Sequence, residues 1–91
     1  MPPQRPNIYV VARFLDALHQ EGRQYTRNQL QMAVRLNYDL YRSYLAFMEE
    51  REYLEWVERN GDSVARVTAA GREAYQKIIG ILQEWLGEAP F

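Results

Sequence analysis

Apolar residues recur at helical spacing in four stretches of the chain, separated by residues that typically begin or end helices. The first stretch follows Asn7, and its apolar positions share one helical face: Ile8, Val11, Phe14 or Leu15, and Leu18. Gly22 is expected to end this helix, because glycine is favoured just past a helix C-terminus. His19, near that end, is interpreted as a surface or capping residue whose partial charge suits the helix dipole.

A second, shorter helix is predicted to begin after Thr26, following a connection with room for a residue or two of strand. Thr26 and Gln29 fit a capping box, in which the hydroxyl accepts from an amide and the glutamine reaches back. One side of this helix is apolar: Leu30, Ala33 and Val34. The helix is expected to end around Val34 or Arg35, which leaves residues 35–37 for the tight turn of a helix-turn-helix.

The stretch from Leu36 to Val57 predicts a third helix that runs directly into a β-hairpin. Asn37 is the expected N-cap, so the helix should begin near Tyr38. It should end near Glu50 or Arg51, where the helical spacing stops. The expected buried stripe comprises Leu40, Tyr44, Phe47 and Met48, widened by Tyr41 and Leu45. The opposite face is mostly polar and remains for solvent or a partner.

Residues 53–67 have the pattern of two antiparallel strands. Residues 53–57 nearly alternate and are rich in aromatic residues and valine, which favour strands. Asn60 and Gly61 can adopt the positive φ angles of a type I′ turn. A second short strand, from Ser63 to Val67, is predicted to follow that turn.

Thr68 is the expected N-cap of a last helix, which is bounded by Gly87 and Pro90. Gly71 and Gly80 each lower its helix propensity by roughly 1 kcal/mol relative to alanine, so contacts elsewhere must stabilise it. Its wide apolar stripe is interpreted either as packing against the first helix or as the seam of a homodimer. The predicted dimer interface comprises Tyr75, Ile78, Leu82, Trp85 and Leu86. The last three are expected to lie beyond the small core.

A chain of 91 residues makes one domain. No run approaches the ~20 apolar residues of a membrane span, and the first residues lack the layout of a secretory signal, so a cytoplasmic protein is expected. The sequence has no cysteine and one histidine, which excludes thiolate catalysis, disulfides and cysteine-based metal sites. It also has no glycine-rich phosphate loop, metal-ligand cluster or nucleophile paired with a base. No cofactor, metal or enzymatic activity is therefore expected.

Charge is distributed unevenly along the chain, although the net charge is only −1. Up to Met48, six arginines outnumber three acidic residues, whereas from Glu49 onward nine acidic residues outnumber five basic ones. This distribution allows a basic front and an acidic back, but not a protein that coats nucleic acid by bulk electrostatics. Ten of the eleven basic residues are arginine, which suits forked contacts with phosphates and base edges. Genome base composition can produce the same bias.

The order of these elements resembles the winged helix-turn-helix domain, and several short motifs are similar to those of small archaeal winged-helix DNA-binding proteins. The motifs are Leu36-Asn37-Tyr38 at the opening of the third helix, Tyr44-Leu45 inside it, Glu49 and Glu50 before Leu54, and Val67, Thr68 and Gly71 at the entry to the last helix. The match covers nearly everything from the first helix to Lys77. Arg51 and Glu52 stand where that family commonly has Lys-Gly or Glu-Gly, and the hairpin carries no net positive charge.

The resemblance implies an α+β fold that is mostly α-helical, with a three-helix core, a two-stranded β-wing and a C-terminal helix. Residues 1–7 are then an irregular lead-in and residues 8–67 the winged helix-turn-helix core. Residues 68–87 form the C-terminal helix, a possible dimerisation element, and residues 88–91 a tail. Because winged helices also serve as protein-interaction modules, the fold by itself leaves the function open.

The resemblance also implies double-stranded DNA as the partner and transcriptional regulation by a dimer as the function. In helix-turn-helix proteins the N-terminal part of the recognition helix enters the major groove, and here that helix starts near Tyr38. The candidate base contacts are Tyr38, Asp39, Arg42 and Ser43. Arg42 is the strongest of them, because its fork can bond both acceptors of a guanine. The candidate phosphate contacts are Arg27, Asn28, Arg35 and Arg59.

Each of these arginines has a simpler interpretation, either as a solvated surface charge or as one partner of an intramolecular ion pair. Tyr38 and Tyr41 have an alternative place at the rim of the core, and Tyr41 is expected to be core. The alternative function is a winged-helix protein-interaction module that uses Trp56, Trp85 and the C-terminal apolar stripe and does not bind nucleic acid. The acidic composition after Met48 favours that alternative.

Overall fold

The computed structural model describes residues 5–20 and 24–86. Its elements follow one another in the predicted order: helices α1 (Ile8–His19), α2 (Arg27–Val34) and α3 (Tyr38–Glu50), strands β1 (Leu54–Arg59) and β2 (Asp62–Val67), and helix α4 (Ala69–Leu86). The helices and the hairpin share one core, whose largest fully buried side chains are Phe14, Leu15, Leu30, Met48 and Val34. The mostly α-helical α+β fold predicted from the sequence is confirmed.

Helix α1 begins where the sequence predicts, because the Asn7 side chain accepts a hydrogen bond from the Tyr9 amide at 2.8 Å. The predicted face is buried at Val11, Phe14, Leu15 and Leu18 and half-buried at Ile8. The helix ends at His19. It therefore stops before Gly22, the predicted terminator, which lies outside the described residues.

Helix α2 is held at both ends by side chains. The predicted capping box is present, since the Thr26 amide donates to Gln29 Oε1 at 3.0 Å and the Gln29 amide donates to Thr26 Oγ1 at 3.4 Å. At the other end, Arg13 of α1 donates to the Val34 carbonyl oxygen at 3.1 Å. Arg35 then turns the chain with a left-handed φ of 57°. The turn before α3 has the predicted three residues.

The buried face of α3 differs from the predicted one at its margin. Its buried residues are Tyr41, Tyr44, Leu45 and Met48. Leu40 is 46% exposed, so its predicted place in the core is wrong. Each step along a helix turns the side chain by about 100°, and Leu40 therefore points away from the side on which Tyr41 is buried. Tyr41 stacks on Phe14 with 5.8 Å between ring centroids, which confirms that it belongs to the core.

Helix α3 ends in a Schellman motif that directs the chain into the hairpin. The Tyr53 amide donates to the Met48 carbonyl oxygen at 2.9 Å, and the Glu52 amide donates to that of Glu49 at 3.0 Å. Phe47 packs edge to face on Tyr53, with centroids 6.2 Å apart. Glu52 has a left-handed φ of 57°. A non-glycine residue thus occupies a backbone conformation that favours glycine.

The hairpin is closed by the predicted turn. Its strands pair antiparallel from Leu54 and Val67 at the base to the two-residue turn at Asn60 and Gly61. The φ angles of these turn residues are 53° and 84°, the signs that a type I′ turn requires. Both strands extend closer to the turn than the sequence pattern predicts.

One residue of strand lies in the connection before α2, as expected. Tyr25 forms an isolated antiparallel bridge with Ala65 of β2, and its carbonyl oxygen accepts the Ala65 amide at 2.8 Å. Strand β2 therefore lies between Tyr25 and β1, and this bridge ties the start of the helix-turn-helix to the hairpin.

Thr68 begins α4 and ties it to the junction after α3. Its hydroxyl donates to the Glu52 carbonyl oxygen at 2.5 Å and accepts from the Gly71 amide at 3.0 Å. Its own amide donates to the Tyr53 carbonyl oxygen at 3.1 Å. A Cβ at Gly71 would overlap that carbonyl oxygen and lie 2.8 Å from Val67 Cγ2. Close packing therefore requires glycine here, although the sequence pattern indicates only a loss of helix propensity.

The first half of α4 packs along α1 through polar and aromatic contacts. The Tyr75 hydroxyl donates to Asp16 Oδ1 at 2.9 Å, and the Tyr75 ring stacks on His19 with centroids 4.2 Å apart. His19 Nδ1 lies 2.7 Å from the Leu15 carbonyl oxygen. His19 is therefore a half-buried packing residue rather than a simple surface residue.

Residues of the predicted dimer interface in the second half of α4 are partly buried in their own chain and partly exposed. Leu82 is only 4% exposed, so the expectation that it lies beyond the core is wrong. Ile78 is half-buried against the core, whereas Ile81 is exposed and Trp85 is 80% exposed. The side chain of Leu86 lies outside the part that the structure describes.

Alanine at the two glycines of α4 should change stability in opposite directions. Nothing lies within 4 Å of a Cβ at Gly80, so Gly80→Ala should raise the free energy of unfolding by about 1 kcal/mol through helix propensity. Gly71→Ala should lower it by about 1–3 kcal/mol, because the new Cβ would overlap the Tyr53 carbonyl. Urea denaturation followed by circular dichroism measures both. Equal stabilisation by the two substitutions would contradict the packing constraint at Gly71.

Tyr75 should make the fold sensitive to alkali. Burial, reinforced by the Asp16 carboxylate, raises the pKa of Tyr75 from 10.0 to about 12. The protonated Tyr75 hydroxyl therefore contributes fully to the free energy of unfolding below its ordinary pKa. This contribution is lost as the pH rises from 10 towards 12. Tyr75→Phe should cost about 1 kcal/mol at neutral pH through the lost hydrogen bond and make the alkaline loss shallower. Chemical denaturation across this pH range measures this loss of stability.

Tyr9→Phe is the control, because the Tyr9 ring is exposed. If stability fell equally steeply with pH in Tyr75→Phe and in the parent, Tyr75 would not be the source of the alkaline sensitivity.

Candidate nucleic-acid interface

The polar face of α3 lies on the surface, opposite its buried face. Tyr38 is 60% exposed, Asp39 and Arg42 are exposed, and Ser43 is half-buried. The Asn37 side chain accepts an amide of the first turn at 2.9 Å and so fixes the start of this face. The structure therefore brings the four candidate base-contact residues together on one side of the first two turns.

Positive charge on this face comes from Arg42, the only basic residue of α3. Its guanidinium Cζ lies 5.6 Å from the centroid of the Tyr38 ring. Contact with the ring restrains the side chain while the edge of its planar fork remains available to a partner. Asp39 lies in the first turn, where it suits the helix dipole, and Glu49 and Glu50 are exposed in the last turn. The face is therefore mixed in charge, with its cation in the N-terminal half.

Arg27, the first residue of α2, lies against both the hairpin and the end of α3. Its guanidinium Cζ is 4.4 Å from the centroid of the Trp56 ring on β1, and its Nη2 is 3.7 Å from Glu49 Oε2. Trp56 Nε1 donates to the same Glu49 oxygen at 3.0 Å. We call Arg27, Glu49 and Trp56 the Arg27 cluster. The intramolecular ion pair considered for Arg27 from the sequence is present, but its two side chains remain 58% and 39% exposed.

The backbone of Arg27 is anchored from the core. The buried Tyr41 hydroxyl donates to the Arg27 carbonyl oxygen at 2.7 Å. Burial, partly offset by the positive charge of Arg27, raises the pKa of Tyr41 from 10.0 to about 12, so the hydroxyl remains a donor at neutral pH. The start of α2 is therefore fixed to α3 by a side chain of α3.

Candidate phosphate contacts lie at both ends of α3. Arg27, followed by the exposed Asn28, lies beside the last turn of α3, whereas the exposed Arg35 comes just before its first turn. The 13 residues of α3 span about 20 Å of helix. One cationic residue therefore lies beside the last turn of α3, and another belongs to the turn that leads into its first residue.

The hairpin adds no net positive charge to this arrangement. Arg59 is exposed beside the turn, where its cross-strand neighbour is Asp62. Arg66 is engaged by Glu55, with 2.8 Å between Arg66 Nε and Glu55 Oε1. Arg59 is therefore the basic residue of the hairpin that is best placed to reach a partner.

Two members of the Arg27 cluster were not predicted to belong to this site. Sequence reasoning assigned Trp56 to the alternative protein-binding function and treated Glu49 as part of an acidic run. Strand alternation indicates that Trp56 shares a side of β1 with Leu54, which faces the core. No pattern in the sequence, however, brings Arg27 to that side.

The described residues contain no group of three or more histidine, cysteine, aspartate or glutamate side chains able to hold a metal ion. Within the same part of the chain, none of the helices combines the length and apolar character needed to span a membrane.

Comparisons with known proteins agree on the fold. The crystal structure of Sso10a-2, a DNA-binding protein from Sulfolobus solfataricus, superposes with a TM-score of 0.71 and 13% sequence identity, over 91% of this chain and 84% of that chain. At this identity the likeness shows the fold alone. No curated protein sequence matches the chain. The family model described as winged helix-turn-helix matches residues 4–84. The resemblance noted in the sequence is confirmed: this chain belongs to the winged helix-turn-helix family.

Proposed function

We propose that this chain binds double-stranded DNA, reads the major groove with α3 and regulates transcription. The observation that carries the proposal is the exposed polar face of α3, with Arg42 in its N-terminal half, Arg27 beside its last turn and Arg35 in the turn before its first residue. Membership of the winged helix-turn-helix family supports it. So does the fold shared with Sso10a-2, a DNA-binding protein.

The first two turns of α3 supply the base contacts in this proposal. Arg42 donates its fork to the two major-groove acceptors of a guanine. Asp39 accepts from the amino group of a cytosine, because a carboxylate close to DNA is best accommodated by a donor. Tyr38 and Ser43 lie on the same side of the helix and contact neighbouring base edges.

Phosphate contacts orient α3 in the groove. Arg27 and Asn28 bind the backbone at one end of the helix and Arg35 binds it at the other, while Arg59 reaches the backbone or the minor groove beside the wing. Each neutralised phosphate steepens the fall of log affinity with log salt by about 0.9. Because the chain has a net charge of −1, this local set of cations rather than bulk attraction provides the electrostatic part of the binding.

We also propose that two copies pair through α4. Ile78, Ile81 and Trp85 fall on one helical face, and exposure rises along it towards Trp85. Tyr75 and Leu82 support this seam indirectly, because they are covered within their own chain and hold α4 against it. A two-fold pair presents two α3 helices to two half-sites.

Arg42→Ala should weaken binding to duplexes selected from a randomised pool by about 5- to 150-fold, equivalent to ~1–3 kcal/mol for a bidentate guanine contact. Arg72→Ala removes the same charge from an exposed position of α4 and should change the affinity little. Fluorescence anisotropy at two salt concentrations measures both affinities and the salt dependence. A folded parent that does not bind any duplex at low salt would sink the DNA-binding proposal and favour the protein-interaction alternative.

Trp85→Ala should convert a dimer into monomers without loss of fold, because this side chain is 80% exposed on the chain's own surface. Tyr9→Ala removes an exposed aromatic ring from α1 and should leave the dimer intact. Sedimentation velocity compares the two variants with the parent. A parent that sediments as a monomer at micromolar concentration would rule out pairing through α4.

A further inference from the structure

Glu49 holds one oxygen where an anion would meet the Arg27 guanidinium. The distance of 3.7 Å between Arg27 Nη2 and Glu49 Oε2 exceeds that of a good hydrogen bond. The same oxygen accepts from Trp56 Nε1 at 3.0 Å. Trp56 rather than Arg27 therefore orients the carboxylate, and the attraction between Glu49 and Arg27 is mainly that of two nearby charges.

Arg27 is at the same time held ready for an anion. The Trp56 ring covers one face of the guanidinium, with 4.4 Å from Cζ to the ring centroid. Stacking leaves the planar edge, which carries the N–H donors, for an acceptor. The Tyr41 hydroxyl fixes the backbone of the same residue at 2.7 Å. Much of the conformational freedom that a flexible arginine loses when it binds a phosphate is therefore already lost.

We infer that the Arg27 cluster is a preorganised phosphate site of the DNA interface, in which Glu49 is a built-in competitor and Trp56 is the positioning residue. This inference rests on the proposed DNA binding. When a backbone phosphate binds the edge of Arg27, it replaces Glu49 at the guanidinium, while Glu49 keeps its hydrogen bond from Trp56. Glu49 and Trp56 together set how strongly this end of α3 holds DNA.

The competitor is weak enough to be displaced. Both partners of the ion pair are substantially exposed, and such a pair shifts an equilibrium by at most about fivefold. A phosphate offers two oxygens to the fork of Arg27, and charge-assisted bidentate contacts are stronger than single ones. Glu49 therefore opposes isolated anions more effectively than DNA that is also held by other contacts. The cluster therefore favours duplexes that also make the other contacts of the interface over non-specific electrostatic binding.

A double-mutant cycle between Glu49→Gln and Arg27→Ala tests the competition. Glutamine keeps an oxygen that can accept from Trp56 and removes the charge. Glu49→Gln should raise the affinity for a selected duplex about two- to fivefold, and Arg27→Ala should lower it and reduce the salt slope by about 1. With Arg27→Ala already present, Glu49→Gln should give no more gain than removal of any neighbouring charge gives.

Glu50→Gln is the matched control, because it removes a neighbouring exposed charge from the same turn of α3. Any gain it gives by relieving general repulsion should be the same with and without Arg27. A gain from Glu49→Gln that exceeds the gain from Glu50→Gln and also survives Arg27→Ala would overturn the competition while leaving DNA binding intact. A parent that does not bind duplex at all would instead overturn the proposed function, and this inference with it.

Trp56 provides a separate readout of its positioning role. The chain has two tryptophans, so the emission of the parent is compared with that of Trp56→Tyr, and the difference comes from Trp56. Duplex binding should change that emission, and the change should be absent when Arg27→Ala is added. Trp56→Leu should weaken binding, and Trp56→Tyr, which preserves an aromatic face, should restore much of it. Unchanged emission on binding, or equal affinities for the leucine and tyrosine variants, would overturn the role of Trp56.

Discussion

Three hydrogen bonds made by Thr68 and the close fit of Gly71 join the end of α3, the base of the hairpin and the start of α4. They act on the backbone of Glu52 and Tyr53, where the chain has just left α3 in a left-handed turn. Because each of these hydrogen bonds holds a backbone atom of a different segment to Thr68, they fix the relative directions of three elements at one point. The polar face of α3, the wing and the proposed dimer helix are all positioned from this joint.

Much of the fold was predictable because the ends of its helices are specified locally. Thr26, Asn37 and Thr68 cap the helices that follow them, and each cap is made within three residues. The predictions of burial were wrong where burial depends on residues that are distant in the sequence. Leu40 is turned away from a core whose centre is set by the other helices, and Leu82 is covered in a way that its own helix does not show. The need for Gly71 comes from a carbonyl that precedes it by 18 positions.

One part of the candidate site was predictable from local sequence and another was not. The polar face of α3 follows from helical periodicity, so the exposure of Tyr38 and Arg42 could be foreseen. The surroundings of Arg27 could not, because Glu49 and Trp56 come from two other elements and meet it only when the chain folds. A single sequence shows that charges and aromatic rings are present, but not which of them are paired.

The wing also has an open side. Strand β2 is flanked by β1 and by the Tyr25 bridge, whereas the outer edge of β1 has no strand beside it in the described parts of the chain. This edge strand carries Glu55, Glu58 and Arg59, and charged side chains on an edge oppose the addition of a further strand. An apolar β1 would let two copies pair edge to edge through this strand. The acidic residues that leave the wing without net positive charge thus also oppose pairing of two molecules through their sheets.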